Sequence, residues 1–560
     1  MQKYVVRERK KENLVEHLLF HRSITNAEDI EKFLNPDYEK HMHDPFLMKD
    51  MEKAVARILR AIQNNERIAI FSDYDADGIP GAVVLHDFFK KIGYANFENY
   101  IPDRHGEGFG LNNGAIEELV SRGATLLITI DCGITDSGEV TCANELGMEV
   151  IITDHHLLNH SIPQAYAILN PKQPDCVYPE KMLCGSGVVF KLVQALVSRL
   201  KITTFPIGWE KWLLDMVGLA TLSDMVPLTG ENRVFAHFGL RVLRKSPRVG
   251  LGQLLRELRI NRSDITEDDI GFMVSPRINA ASRMGVPMDA FRLFATEDAA
   301  EAGALARHLN KINDERKGKV AALVKEVRKI VAERHEERAP HVIVAGSPLW
   351  RPSLLGLAAN ALVEDYQKPV FLWGREGNDT LKGSCRSDGS VDLSLLMHEA
   401  RAAFLDSGGH AEAGGFSVAL EKVHLLESEI ERAYEKVRLS REAEPQYTVD
   451  ARMSIDEVSW DVWNSIAKLA PFGVGNPKPL FLFEQLVVSS VEPFGKERQH
   501  LKLVFQKSTG ERVSAVQFFT KTEDYGGIAP GKEINLLAHL EKSVFGSYPE
   551  LRLRIVDVIC

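Results

Sequence analysis

Cysteine is scarce in this 560-residue sequence, and what there is forms no pattern. Cys132, Cys142, Cys176, Cys184, Cys385 and Cys560 make no C-x-x-C pair and no zinc spacing. That excludes a thiolate zinc module and fits a reducing cytoplasm. A long apolar run is missing too: no stretch approaches the roughly 18 residues a membrane span needs. The opening MQKYVVRERKKENLVEHLLF has basic residues but no apolar core followed by a small-residue cleavage site. The expected location is the cytoplasm, with no membrane partner. Nor is there a basic excess: 68 Lys and Arg against 78 Asp and Glu leave a formal charge of −10. Attachment to nucleic acid by bulk charge alone is excluded; a local basic groove is not. Internal repeats and low-complexity tracts are absent.

What is present is the balance of an ordinary globular protein, 44% apolar and 26% charged, in a chain long enough for roughly three or four domains. Residues 1–50 read as an N-terminal helical segment. From 51 to 240 strands and helices alternate: RIAIFSD, TLLITID and EVIITDHH are strand-like, and GAVVLHDFFKKIG is a helix. This alternation predicts a parallel α/β sheet covered on both faces. Residues 241–338 read as a helical connector. It ends in GKVAALVKEVRKIVAERHEER (317–337), whose stripe of Val320, Leu323, Val324, Val327, Ile330 and Val331 predicts a long helix bridging two domains. HVIVAGSP opens a second α/β unit over 339–440. Residues 445–560 carry short alternating strands with Gly and Pro turns and read as a small antiparallel barrel.

SDYDADGIPG directly follows the first apolar strand and places Asp73, Asp75 and Asp77 two residues apart. Carboxylates that close repel and raise each other's pKa. The next two strands end on Asp131 and on Asp154, His155 and His156, and Asp224 follows the helical WLLDMVGLA. Ligands of open α/β sheets sit beyond the carboxyl ends of the strands, so these groups can converge. A lone D-x-D after a strand is more often a turn or a helix cap. Four acidic or imidazole clusters at element ends are harder to dismiss. Carboxylates with imidazole suit hard divalent ions, with the nitrogen favouring Mn²⁺ over Mg²⁺. Two such ions would offset the repulsion and suit phosphodiester hydrolysis.

In combination these pieces resemble the DHH phosphoesterase superfamily: DYDADG, TIDCGITD, TDHH and LATLSDMVPL are similar to its motifs one to four. Spacing and flanks resemble the RecJ family within it, the single-stranded-DNA-specific 5′→3′ exonucleases, over nearly the whole chain. FLNPDYEKHMHDPFLMKDMEKAV, PRINAASRM (276–284), KGSCRS (382–387), GGHAEAGGFS (408–417) and LAPFGVGNPKPLF (469–481) are similar to further family stretches. The resemblance implies a DHH domain, a DHHA1 domain and a C-terminal OB-fold. It implies metal ligands Asp73, Asp75, Asp77, Asp131, His155 and Asp224, with Asp131 bridging two Mn²⁺ or Mg²⁺ ions. His156 would lie near the scissile phosphate as a contact or acid. Asp154 would orient the imidazoles or cap the following turn.

By the same resemblance Arg104, Arg283, Ser384, Arg386 and Ser387 are candidates for the terminal 5′-phosphate. Asn310, Asn313 and Arg316 would face the substrate cleft, and His410 would contact a phosphate. For each alone, a solvated charge or an internal salt bridge is the competing reading. In the barrel, Phe494, His500, Phe505, Phe518 and Phe519 amid Lys502 and Lys507 suit base stacking, although core packing competes for each phenylalanine. Implied partners are single-stranded DNA, a single-strand-binding protein and a repair helicase, for a monomer acting in recombination and repair.

The sequence departs from the family at DGIPG, where a hydroxyl is lost, at Cys132, at Ser282 and at WRPS (Trp350–Ser353) in place of Trp-His-x-Gly. Two other functions compete. An oligoribonuclease or cyclic-dinucleotide phosphodiesterase of the superfamily would usually lack the barrel, and a non-catalytic replication scaffold would tend to lose metal ligands.

Overall fold

The computed structural model describes residues 4–159, 161–200, 206–334, 340–375, 380–438, 447–496, 498–544 and 548–559. The first strand, β1 (Tyr4–Val6), pairs in parallel with Tyr447–Val449, far along the chain. The helices Leu14–Phe20 and Ala27–Leu34 follow it, capped by the side chains of Asn13 and Asn26. They bury Leu18, Leu19 and Phe33 in the core of the C-terminal barrel. His17 Nε2 lies 2.8 Å from the Asp450 carbonyl oxygen. Residues 4–34 are thus built into the barrel.

The sheet that carries the site runs β3-β2-β4-β5-β6 and is parallel throughout. Its strands are β2 (Arg67–Ser72), β3 (Phe97–Tyr100), β4 (Ala124–Ile130), β5 (Glu149–Thr153) and β6 (Ala167–Leu169). Side-chain alternation along β2 explains its continuous apolar run. Ile68 and Ile70 pack with the helices Met51–Gln63, Gly78–Lys91 and Gly185–Arg199, while Ala69 and Phe71 pack with Asn113–Ser121 and Ser137–Glu145. The connections leave β2 towards β3 on one side and β4 on the other. The strand order therefore reverses between β2 and β4, opening a crevice at their carboxyl ends.

A 36-residue helix, Ala299–Arg334, links the two α/β units. At 1.5 Å per residue it is about 54 Å long. Leu305, Leu309 and Ile312 join the first core; Leu323, Val324 and Val327 join the second. The last residues of the expected 317–337 helix, 335–337, lie outside the described residues.

The second sheet runs β10-β11-β9-β8-β7 through β7 (Ile343–Gly346), β8 (Val370–Arg375), β9 (Thr380–Arg386), β10 (Asp406–Gly409) and β11 (Ala413–Ala419). Only β7 and β8 pair in parallel; the β8–β9, β9–β11 and β10–β11 pairs are antiparallel. The C-terminal barrel is a seven-stranded, mostly antiparallel sheet over Ala451–Ile559. Among the described residues no helix is long and apolar enough to cross a membrane.

Candidate metal centre

Asp73 continues the β2 ladder, its N–H donating to the Ile130 carbonyl at 3.0 Å. The chain then turns so tightly that a Cβ on Gly78 would lie 2.4 Å from the Asp73 carbonyl oxygen. Glycine is needed there. Within the turn, Asp75 Oδ1 accepts the N–H groups of Asp77 (2.7 Å) and Gly78 (3.0 Å). Asp77 is gripped by the start of the helix Gly185–Arg199, accepting the N–H of Gly185 at 2.6 Å and of Ser186 at 2.7 Å. The Ser186 hydroxyl donates to the Asp77 carbonyl. Where DGIPG lacks a hydroxyl, Pro80 instead occupies the first turn of the helix Gly78–Lys91.

Asp131 leaves β4 in a left-handed conformation (φ 62°). That turns its side chain into the crevice, beside Gly185, where a Cβ would come within 2.6 Å. Asp154, at the end of β5, answers the two readings of it at once. Its Oδ1 accepts the backbone N–H of His155 and His156 and lies 2.8 Å from His156 Nδ1, while Oδ2 accepts the Ile134 N–H. His156 therefore turns Nε2 away from Asp154.

Three trios of ligand atoms result, each within 4.8 Å: Asp73, Asp75 and Asp131; Asp131, His155 and His156; Asp77, His155 and Asp224. Asp131 is shared by the first two, and His155 by the last two. His155 Nε2 lies 3.1 Å from Asp131 Oδ1, 3.7 Å from Asp224 Oδ2 and 3.9 Å from Asp77 Oδ2.

The electrostatics are those of a cage built around positive charge. Burial, then repulsion from Asp75, pushes Asp73 well above the usual carboxylate range and Asp77 to about 6. Burial and the neighbouring aspartates also push Asp131 well up, and Asp224 to about 9. Burial drives His155 down to about 3, so its ring is neutral. For His156 burial opposes the charge, but the bond to Asp154 outweighs it and raises the pKa. Asp73 Oδ1 and Asp131 Oδ1 are buried and find no hydrogen-bond donor. A neutral imidazole and unsatisfied carboxylate oxygens facing one point fit a hard divalent ion. The thiols do not compete: burial pushes Cys132 and Cys184 well up, keeping both protonated.

Beside this cage stand four arginines. Arg104 lies over the Tyr74 ring, 5.0 Å from its centroid. Arg283 is pushed down to about 10, first by burial and then by the charges of Arg104, Arg316 and Arg386. Among the described residues none of the four makes an ion pair. Arg283 Nε and Arg316 Nε are buried without a partner. Cations crowded without a salt-bridge partner have the chemistry to receive an anion.

Other expected residues are committed elsewhere. Asn310 Oδ1 accepts from Arg277, and the Ser387 hydroxyl closes a turn onto the Val391 carbonyl. Ser384 is half-buried on β9, and His410 is exposed in the β10–β11 turn, its N–H donating to the Ala413 carbonyl. Asn313 is buried with both amide atoms unpartnered. Three residues were not anticipated. The exposed Phe109 ring meets His156 edge-on at 5.7 Å. Half-buried Lys172 faces Asp224, Asp154 and Asp131. Asn279 Oδ1 accepts the Ala76 N–H at 2.9 Å and steadies the aspartate turn. Lys172 had a signal, its place just beyond β6; Phe109 had only a glycine-rich loop around it.

Comparison with known proteins gives three domain matches. Residues 67–221 match the DHH family N-terminal domain, 339–436 the DHHA1 domain and 449–557 the RecJ OB domain. The single-stranded-DNA-specific exonuclease RecJ of Bacillus subtilis (strain 168) is 34% identical over 546 residues, 97% of this chain and 67% of the relative. The crystal structure of RecJ in complex with Mn²⁺ from Thermus thermophilus superposes with a TM-score of 0.81 at 27% identity, over 99% of this chain and 79% of that one. The same protein's complex with Mg²⁺ gives a TM-score of 0.75 at 26% identity, over 100% and 78%. Domain order, 34% identity over 97% of this chain and fold agree, and on that agreement the chain belongs to the RecJ family.

Proposed function

We propose that this protein is a metal-dependent exonuclease that degrades single-stranded DNA from the 5′ end to 5′-mononucleotides. The observation that carries the reading is the pair of buried, donor-less oxygens on Asp73 and Asp131 within the three interlocking ligand trios. Asp73, Asp75, Asp77, Asp131, His155 and Asp224 would hold two Mn²⁺ or Mg²⁺ ions, Asp131 being the carboxylate common to two of the trios. When bound, the ions supply a deprotonated water and charge stabilisation for phosphodiester hydrolysis.

The chain's own groups do the rest. Arg104, Arg283, Arg316 and Arg386 receive the terminal 5′-phosphate, which registers the first internucleotide phosphate at the cage. Ser384 and His410 are kept as candidates for the approach, whereas the Asn310 and Ser387 side chains are taken by Arg277 and the Val391 carbonyl. His156, held through Nδ1 by Asp154, offers Nε2–H to an oxygen of the scissile phosphate. Cleavage breaks the O3′–P bond; the 3′ oxygen takes a proton and leaves as the mononucleotide hydroxyl, and the new chain end keeps the phosphate.

In the barrel, Phe519 is 83% exposed, and Phe494, His500, Phe518 and Arg554 cluster beside it. These suit base stacking. Phe505 is core, at 1% exposure; Lys507 is buried against Glu511, and Lys502 pairs with Glu492. The terminal barrel argues against a dinucleotide substrate, and the complete ligand set against a scaffold. We retain the five-part division at 50, 240, 338 and 440, with residues 4–34 packed onto the barrel. A cytoplasmic monomer working beside a single-strand-binding protein and a repair helicase completes the reading, supported by the free cysteines among the described residues and by family resemblance.

The test is digestion of 5′- and 3′-labelled single strands with Mn²⁺, beside a blunt duplex and an Asp131→Ala control. Mononucleotides leaving only the 5′ end of the single strand, with the control inactive, are the expected result. Intact protein that binds single strands but cuts none refutes it.

A further inference from the structure

Asp75 and Asp77 are held by backbone N–H groups, but among the described residues the Asp224 carboxylate accepts no hydrogen bond. With no hydrogen bond to fix the carboxylate, although Lys172 and His155 face it, its place is set chiefly by its backbone. Asp224 ends the helix Leu214–Ser223 and opens a loop in which Met225 is left-handed (φ 59°) and Val226 and Leu228 are buried. Val226 packs on Cys184 and Ala220, but Pro227 and Leu228 meet LAPFGVGNPKPLF, a stretch the reaction itself does not use.

The hairpin 473–476 grips the loop. Leu228 N–H donates to the Val474 carbonyl at 2.8 Å. A Cβ on Gly473 would lie 2.8 Å from Leu228 Cδ1, and one on Gly475 (φ 73°) 3.3 Å from Pro227 Cβ. Only glycines allow that approach. The hairpin is itself over-determined. Gly473 and Asn476 exchange both backbone hydrogen bonds, at 2.9 and 3.1 Å. The fully buried Asn476 side chain donates to the carbonyls of Leu469 (2.8 Å) and Pro471 (2.9 Å) and accepts from Arg22 Nε (2.8 Å). Its flanks are clamped as well: Arg233 Nη2 donates to the Ala470 carbonyl at 3.1 Å, and Lys478 pairs with Asp268.

We propose that this hairpin, keyed by Asn476, is a positioning element for Asp224, so that the segment leading into the barrel completes the metal centre. Asn476 acts through the Val474 carbonyl and Leu228, not by touching metal or substrate. The inference rests on Asp224 being a metal ligand.

The experiment uses the full chain and titrates Mn²⁺ by calorimetry and electron paramagnetic resonance. Kinetics are measured on an oligonucleotide too short to reach the barrel. Asn476→Ala should weaken Mn²⁺ binding about tenfold, the scale of lost outer support for a metal ligand, and lower kcat with KM unchanged. If Asn476→Ala does not fold, Leu228→Ala keeps the N–H bond to Val474 but removes the packing on Gly473, and should give the same pattern in smaller measure. Folded variants with a lowered melting temperature but wild-type Mn²⁺ affinity and kcat overturn the inference, leaving the hairpin as glue between domains. An Asp224→Asn control that binds Mn²⁺ like the wild type would instead show that the metal reading of Asp224 fails, and the inference with it.

Discussion

Arg283 and Ser353 bond each other twice, joining the helical connector to the second α/β unit. Arg283 Nη1 donates to the Ser353 carbonyl at 2.6 Å, and the Ser353 hydroxyl donates back to the Arg283 carbonyl at 3.3 Å. The first bond sets the guanidinium; the second is long and adds little. Arg283→Ala should therefore lower kcat/KM on 5′-phosphorylated single strands about 10- to 100-fold, the worth of one charged contact, and much less on 5′-hydroxyl strands. Ser353→Gly, which restores the family residue, keeps the carbonyl acceptor and should stay within about twofold. Paired kinetics on the two substrates check both.

Metal removal should reveal the stored repulsion. Without ions the raised carboxylates, Asp131 among them, contribute stability only below their folded pKa and lose it as pH rises through it. At neutral pH Asp131→Asn should melt higher than the wild type in chelator. It should also lose most of the Mn²⁺-induced rise, which for the wild type is about 2.7 kcal/mol at a hundredfold excess over Kd. Melting curves with chelator and with Mn²⁺ decide it.

His86 should govern part of the acid response. Its Nδ1 lies 2.9 Å from Asn99 Nδ2, and its ring meets Phe97 and Phe291 edge-on. Burial lowers its pKa to about 4, with Lys90 and Arg248 adding to the shift. The folded form thus keeps it neutral while the unfolded chain protonates near 6.5. Stability is full above pH 6.5 and falls as pH drops towards 4. His86→Gln should reduce the slope of urea midpoint against pH in that window by up to one proton's worth, and leave it unchanged above about pH 7.

Phe519 and Phe505 should separate grip from stability. Phe519→Ala should weaken single-strand binding by about 1–3 kcal/mol without moving the melting temperature. Phe505→Ala should cost about 3–5 kcal/mol of folding stability. Fluorescence anisotropy on a long oligonucleotide, with melting curves, checks the pair.

These cases show where sequence reasoning reaches. β2 was legible because an apolar run buried on both faces and ending on D-x-D-x-D leaves little choice of face. Phe505 was legible in principle: Leu501, Leu503 and Phe505 alternate inward along His500–Gln506. Phe519 follows that sheet on an irregular, left-handed residue, and no period announces it. Phe109 and Lys172 come to the cage from separate loops, so only the folded chain brings them there. The second sheet's hairpins were read as a continuation of the α/β pattern, because HVIVAGSP and its helix do follow that pattern before β9 departs from it. The pairing of β1 with Tyr447–Val449 left no local trace, since three residues carry no periodicity.

That pairing has a consequence for how the protein is made. His17 and its partner Asp450 are 433 residues apart. At about 5–20 residues per second, synthesis separates them by about 20–90 s. Throughout that interval Leu18, Leu19 and Phe33 have no barrel to enter, and Arg22 has no Asn476 to meet. These residues leave the ribosome well before the strands they pack against, and a holdase bound there would delay the barrel and, with it, the hairpin that steadies Asp224.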